Sequence, residues 1–217
     1  MPVRQGAWSR LWLAYRNRLR RRALLLRAFR HRRDLTPVAD RTASIAPDDI
    51  LCFACVRNEA GRLPHFLAHN RRLGVRHFLI VDNGSEDGTA DLLADAPDIS
   101  VWRTGAGYKQ SRFGMDWLTW LMLRHGHGHW CLTLDADELL IYPYWQTRPL
   151  PALTEWLDRQ GLPSLGALTV DMYPQGPVSQ GRTDEEDDPI RHLAWFDGGN
   201  YQVQVQPRMD NLWIQGG

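Results

Sequence analysis

Lysine is almost absent from this chain. Lys109 is the only one among 217 residues, and arginine supplies every other fixed positive charge. Acid is missing from the first 33 residues, which hold eleven Arg and no Asp or Glu. The rest carries 15 basic against 25 acidic groups, a formal net of −10, so a basic arm is joined to an acidic body. Cysteine is scarce and odd in number. Cys52, Cys55 and Cys131 all stand in apolar, strand-like runs, which argues against a disulfide framework and for a reducing compartment. Cys52-Phe-Ala-Cys55 has the spacing of a redox pair, but a redox pair starts at a helix N-terminus and this one lies inside Ile50–Val56, so it reads as core packing. No apolar stretch approaches the ~18 residues of a membrane-spanning helix. The start has neither the continuous apolar region of a secretory signal nor the serine enrichment of a transit peptide. These absences point to a cytoplasmic protein, peripheral on the inner membrane face if its basic arm meets lipid.

What is present is a 43% hydrophobic composition, enough for one sizeable core with appendages. Within residues 8–33, Trp8, Trp12, Tyr15, Leu19, Ala23, Leu26 and Phe29 recur at spacings of three and four, which predicts one amphipathic helix with most of its Arg off the apolar face. Two readings stand level: the helix lies on an anionic membrane surface, or it packs on the acidic body. Nucleic acid is not an expected partner, because no aromatic-plus-basic platform accompanies the arm. Residues 34–49, polar and carrying Pro37 and Pro47, read as a linker to a domain over 50–217.

From there strands and helices alternate. Strands are predicted at Ile50–Val56, His77–Val81, Ile99–Arg103 and Trp130–Leu134. Helices are predicted at Leu63–Arg72, at Glu86–Leu93 with Ser85 as N-cap, and at Gly114–Arg124. The pattern predicts an α/β layer with a mainly parallel sheet flanked by helices. Beyond Leu140 it weakens to a helix at Leu150–Arg159 and strands at Ala167–Met172 and Tyr201–Gln206, with an acidic, solvated loop at Asp184–Asp188. The apolar ending Trp213-Ile-Gln-Gly-Gly predicts a longer protein continuing past Gly217.

In an open α/β sheet, ligands bind beyond the carboxyl ends of the strands. Here those ends carry Arg57-Asn58-Glu59, then Asp82-Asn83-Gly-Ser-Glu-Asp-Gly-Thr89, then Thr104-Gly-Ala-Gly-Tyr-Lys109-Gln-Ser-Arg112, then Asp135-Ala-Asp137-Glu138. Apolar strands with polar tips are what a site on a rigid sheet requires. Two carboxylates two residues apart suit a divalent metal shared with phosphate oxygens and water, with Glu138 as a further ligand or as support for one. Lys109 and Arg112 are assigned to the phosphates by charge and location. A calcium loop at Asp82–Thr89 fails, because the position needing a bidentate Glu is Ala94. His125, His127 and His129 alternate with glycine before the fourth strand, opposite the expected edge, and read as an exposed turn rather than a zinc site. Tyr142, Tyr144 and Trp145 follow the acidic motif and suit either a sugar-stacking wall or a buried flap.

From Ile50 to Leu140 the pattern resembles family 2 glycosyltransferases of the GT-A fold. The carriers are the first strand with Arg57-Asn58-Glu59, the turn Val81-Asp-Asn-Gly-Ser-Glu-Asp-Gly-Thr89, and Leu134-Asp-Ala-Asp-Glu-Leu139. The resemblance implies a nucleotide-sugar donor whose base and ribose lie near Asn58, Glu59 and Asp82. It implies Mg²⁺ or Mn²⁺ held by Asp135 and Asp137, and sugar transfer with inversion to a glycan or lipid-linked acceptor. The sequence departs from the family at Asn83-Gly84 and in lacking a recognisable acidic motif for the catalytic base. Asp171 and Asp197 are the candidates for that role. A binding protein with the same fold and no turnover is the alternative. A nucleotidyltransferase ranks third, since no phosphate-cradling glycine-rich loop follows the first strand.

Overall fold

The structure, a computed structural model, describes residues 7–174, 189–206 and 211–215; the predicted acidic loop at Asp184–Asp188 lies outside them. In chain order the elements are α1 (Ala7–His31), β1 (Thr36–Ala39), β2 (Ile50–Val56), α2 (Leu63–Leu73), β3 (Val75–Asp82), α3 (Thr89–Ala94), β4 (Ile99–Arg103), α4 (Met115–His125), β5 (Cys131–Thr133), α5 (Leu150–Arg159), α6 (Pro189–His192), β6 (Gln202–Gln206) and β7 (Asn211–Gln215). Five strands form one sheet in the order β1-β4-β3-β2-β5, parallel except for β1, which runs antiparallel to β4.

The apolar strands β2 and β3 are buried on both faces, as central parallel strands must be. Alternate residues enter two different cores. Cys52, Ala54, Val56, Phe78 and Ile80 pack with Leu63, Phe66 and Leu67 of α2 and Leu93 of α3. Leu51, Phe53, Leu79 and Val81 pack on the other face with Trp117, Leu118 and Leu121 of α4. Trp117 is therefore a core residue, and burying a side chain of this kind contributes about 2–3 kcal/mol. α2 starts at Leu63-Pro64 and stops at Gly74, whose φ of +107° is the left-handed conformation of a helix C-cap. A Cβ there would also lie 2.8 Å from Pro151 Cδ, so the α5 N-terminus packs where only glycine fits.

Three expectations are corrected. Residues 34–49 are not a plain linker: Thr36–Ala39 pairs with β4 as an edge strand, where Pro37 needs no ladder hydrogen on its solvent side. Ser85 does not cap a helix over Glu86–Leu93; α3 begins at Thr89, and Ser85 bonds Asp82 instead. Ala167–Met172 forms no strand. It lies exposed apart from the partly buried Val170, and the only pairing nearby is the bridge of Tyr173 with Trp195. Apolar residues suit a strand, but without a neighbouring edge to pair with they do not make one. The alternating Tyr201–Gln206 segment pairs with β7 in a separate two-stranded hairpin.

α1 packs on the body, as one of its two readings expects, through its C-terminal end. Its last turns pack on α4: Ala28 is fully buried and the Phe29 ring meets Trp120 edge-on at 5.8 Å. Its earlier turns leave Trp8, Leu11, Trp12, Tyr15 and Leu19 exposed. Among the described residues no helix is long and apolar enough to cross a membrane.

Candidate functional site

The chain passes from β2 outward through β3 to β4, then returns to place β5 on the other side of β2. The connection through α2 lies on one face of the sheet and that through α4 on the other. The strand order thus reverses between β2 and β5, and the carboxyl ends of these two strands border the crevice where α/β sheets bind ligands. Glu59 follows β2 and Asp135 follows β5.

The loops at this edge are laced together by side chains. Asp82, 2% exposed, accepts through one oxygen from Ser85 N–H at 2.9 Å and Ser85 Oγ–H at 2.6 Å. Ser85 Oγ in turn accepts from Asn58 N–H at 3.0 Å, and Asn58 Oδ1 accepts from Glu86 N–H at 2.8 Å. Glu59 N–H donates to Thr89 Oγ1, and Ala60 N–H to the Asp87 carboxylate. Asn58 sits at φ +55°, a left-handed position that Asn tolerates and that points the chain toward these partners. Asn83 is buried, and its amide donates to the carbonyls of Thr104 and Ala106, fixing the start of the loop after β4. Asn58, Asp82 and Asn83 thus build the floor of the site. Arg57 stands exposed above it, and the Glu59 carboxylate pairs with Arg62 at 3.1 Å.

Asp135 and Asp137 alternate with buried Ala136, so both carboxylates face outward. Glu138 Oε2 accepts from the Asp135 N–H at 3.2 Å, and Glu138 N–H donates to the Asp135 carbonyl, closing a tight turn. Glu138 therefore supports the motif. The Asp135 carboxyl is pushed up from its ordinary range, first by desolvation in the crevice, then by the like charges of Glu138, Asp137 and Glu59. No cation of the described residues pairs with Asp135 or Asp137.

The loop 104–114 closes the other side. The Tyr108 hydroxyl is pushed up by desolvation and then by Asp135, Cys55 and Asp137. The Cys55 thiol is pushed up to about 12 by burial and by Asp135 and Asp82, which it separates. Arg112, Phe113 and Gly114 are all left-handed, with φ of +57°, +58° and +79°. Strain of this kind persists only where the surroundings hold it. The holding contacts are Phe113 N–H to the Tyr108 carbonyl at 2.8 Å and Ser111 Oγ, which donates to that same carbonyl. Arg27 of α1 adds a hydrogen bond to the Gln110 carbonyl at 3.0 Å. Arg112 turns away from the crevice to Asp116, while Lys109 stands exposed. Of the two cations assigned to phosphate, only Lys109 is uncommitted among the described residues.

The two base candidates separate. Asp171 is exposed and lines a broad hollow that also reaches Asp135 and Asp137 but runs along β5 as far as His129 and is not lined by Asn58, Glu59 or Asp82. Asp197 does not line it; its carboxylate accepts from Tyr173 O–H at 2.9 Å. In the aromatic segment, Trp145 packs against the His69 ring at 5.1 Å with Arg72 over its face, and Tyr142 O–H donates to the Arg148 carbonyl. Tyr144 remains 68% exposed, with φ +66°. Tyr142 and Trp145 are thus mainly a structural flap, and Tyr144 is the exposed ring, with the Arg148 guanidinium 5.2 Å from its centroid. His129 Nδ1–H donates to the Asp49 carbonyl and His125 lies against Trp102.

Sequence reasoning missed Tyr108, Cys55 and Asp116. Tyr108 was within a quoted strand tip, and its role there depends on a backbone turn. Asp116 has a local partner in Arg112, four residues before it, but its partners Arg27 and His31 lie on α1. Among the described residues no three His, Cys, Asp or Glu converge as a ready-made metal cage. No protein-family model, curated protein or solved structure matches this chain.

Proposed function

We propose that the chain is a metal-dependent glycosyltransferase of the GT-A type, moving a sugar from a nucleoside-diphosphate donor to a glycan or lipid-linked acceptor with inversion. The observation that carries this reading is Asp135: a carboxyl crowded by Asp137, Glu138 and Glu59 at the β2/β5 switch point, with no cation of the described residues beside it. Such a cluster is short of positive charge. Asp135 and Asp137 offer hard oxygen donors to Mg²⁺ or Mn²⁺, and two carboxylates suffice where phosphate and water complete the shell. The donor chemistry of the two carboxylates fits such an ion. When bound, the metal would offset the carboxylate repulsion and the charge of the leaving diphosphate.

The chain's own residues do the rest. Asn58 and Glu59, on the laced floor, face the nucleoside, and Asp82 holds that floor through Ser85. Lys109 meets phosphate. The acceptor hydroxyl oxygen attacks the anomeric carbon as the bond to the diphosphate breaks, the diphosphate keeps the electron pair, and a carboxylate takes the hydroxyl proton. Asp171 is that carboxylate in this proposal, since Asp197 is engaged by Tyr173.

Calorimetry with a panel of nucleoside diphosphates and Mn²⁺ tests the reading. Metal-dependent binding that disappears in Asp135→Ala/Asp137→Ala is the expected result; no such binding by the wild type refutes it. The alternative, sugar-nucleotide binding without turnover, is supported by the exposure of Asp171, which has no hydrogen-bond partner among the described residues to orient it as a base. Transfer or hydrolysis of a donor by the wild type, lost in Asp171→Asn, excludes that alternative.

A further inference from the structure

α1 is bound to the body through its last turns. Its last turns are fixed by fully buried Asp116, which accepts from Arg27 Nε and Nη2 at 3.2 and 3.0 Å, and by buried Ala28. Asp34 extends the contact, accepting from Trp117 Nε1–H at 3.2 Å and meeting His31 at 2.7 Å. N-terminal to this latch the helix keeps a continuous apolar stripe in solvent: Trp8, Leu11, Trp12, Tyr15 and Leu19 are 86, 64, 62, 61 and 46% exposed, and Leu26 is 58% exposed. At 1.5 Å per residue the stripe from Trp8 to Leu26 runs about 27 Å. Its composition is two Trp, one Tyr and three Leu, with Arg18, Arg21 and Arg22 exposed beside it and no acidic residue anywhere in the first 33.

A helix packed wholly on its own domain would hide such a stripe. A protein interface also uses Trp, Tyr and Arg, but eleven arginines with no acidic residue in the first 33 favour a diffuse anionic surface over a defined interface. Aromatic rings on one side and arginine around them are the pattern of a helix lying in a bilayer interface, where the rings sit at headgroup level and the guanidinium groups meet anionic lipid. The helix is not apolar enough to cross a membrane. We propose that α1 is a lipid-surface anchor that lies in the interface of an anionic bilayer, with the Arg27–Asp116 latch tying the catalytic-type domain to the membrane plane. This assignment is independent of the glycosyl-transfer reading.

The test is co-sedimentation of the full chain with phosphatidylcholine vesicles, with and without about one-third phosphatidylglycerol, and with no nucleotide or sugar present. Binding at least about tenfold tighter to the anionic vesicles is expected. Trp8→Ala/Trp12→Ala/Tyr15→Ala should lose about tenfold or more of it with an unchanged melting temperature, since these side chains are exposed. Arg18→Glu/Arg21→Glu should abolish the preference for anionic lipid. Equal binding to both vesicle types, or wild-type binding by the aromatic variant, overturns the proposal. So does light scattering that shows the stripe consumed by self-association, with no protein sedimenting with vesicles.

Discussion

Replacing Asp135 by Asn should stabilise the empty protein and abolish its response to ligand. The carboxylate accepts no hydrogen bond from the described residues, and the bond at this position, Asp135 N–H to Glu138, belongs to the backbone and survives. What the substitution removes is repulsion from Glu138, Asp137 and Glu59 together with partial desolvation of a charge. Like-charge pairs at exposed positions cost about 0.3–0.5 kcal/mol each, so three neighbours amount to about 1 kcal/mol, or roughly 2–4 °C in Tm for a domain this size. The pH dependence follows from the raised carboxyl. The folded state holds this proton more tightly than the unfolded chain, so the penalty is absent below the unfolded pKa of about 3.9. It grows as pH rises through the folded value and is complete above it. The advantage of Asn should therefore be full at about pH 7.5 and vanish toward pH 4. Nucleoside diphosphate with Mn²⁺ at one hundred times Kd would add about 2.7 kcal/mol to the wild type, roughly 5–10 °C, and little to Asp135→Asn. Differential scanning calorimetry with and without ligand reads both effects. A less stable empty variant, or an undiminished ligand shift, refutes the reasoning.

Other perturbations address the frame. Asp116→Ala strips the latch of its buried acceptor; it should cost about 3 kcal/mol in urea unfolding, the low end for a broken buried pair because Arg27 stays half-exposed, and should hasten tryptic cleavage within α1. Gly114→Ala forces a side chain onto φ +79° and brings its Cβ to 3.0 Å from Cys55 Cβ and Sγ, so a loss of about 1–3 kcal/mol is expected by the same assay, with weakened nucleotide binding. His77 is buried against Ser100, and burial lowers its pKa against the pull of Asp98, Asp49 and Asp40. The unfolded chain then binds the proton more readily, so stability should fall as pH drops below about 6.5, and His77→Gln should flatten that slope in a pH series of denaturation midpoints.

The centre of the sheet was legible because β2, β3 and β4 are apolar enough to be buried on both faces and are closed by polar residues at their tips. The Ile50–Val56, Ile99–Arg103 and Leu150–Arg159 boundaries are those of the fold. What escaped were elements defined by their neighbours. Thr36–Ala39 has no strand pattern of its own and becomes one because β4 offers a free edge. Ala167–Met172 has a strand-like composition and no such edge. In α1, Arg27 is one of eleven arginines in the arm; nothing local marks it as the one that finds a buried carboxylate on α4.

The site divides along the same line. Carboxylates at the end of β5 could be named from the chain, because only a solvated or metal-facing position tolerates three acids in a row of apolar residues. The largest perturbation of Asp135, desolvation, is supplied by the fold, and the smallest comes from Glu59, some 76 positions away in sequence and brought near by the parallel pairing of β2 with β5. The same pairing explains why Asp82 ends as a floor residue. A carboxylate at the tip of a central strand is walled by both neighbours, and it is satisfied from within the fold, by Ser85 of its own turn and, at 3.8 Å, by Arg103 of β4. One at the tip of the edge strand β5 is open on one side, and among the described residues no cation pairs with it. Position in the strand order therefore decides which acidic tip is held by the fold and which is left facing solvent.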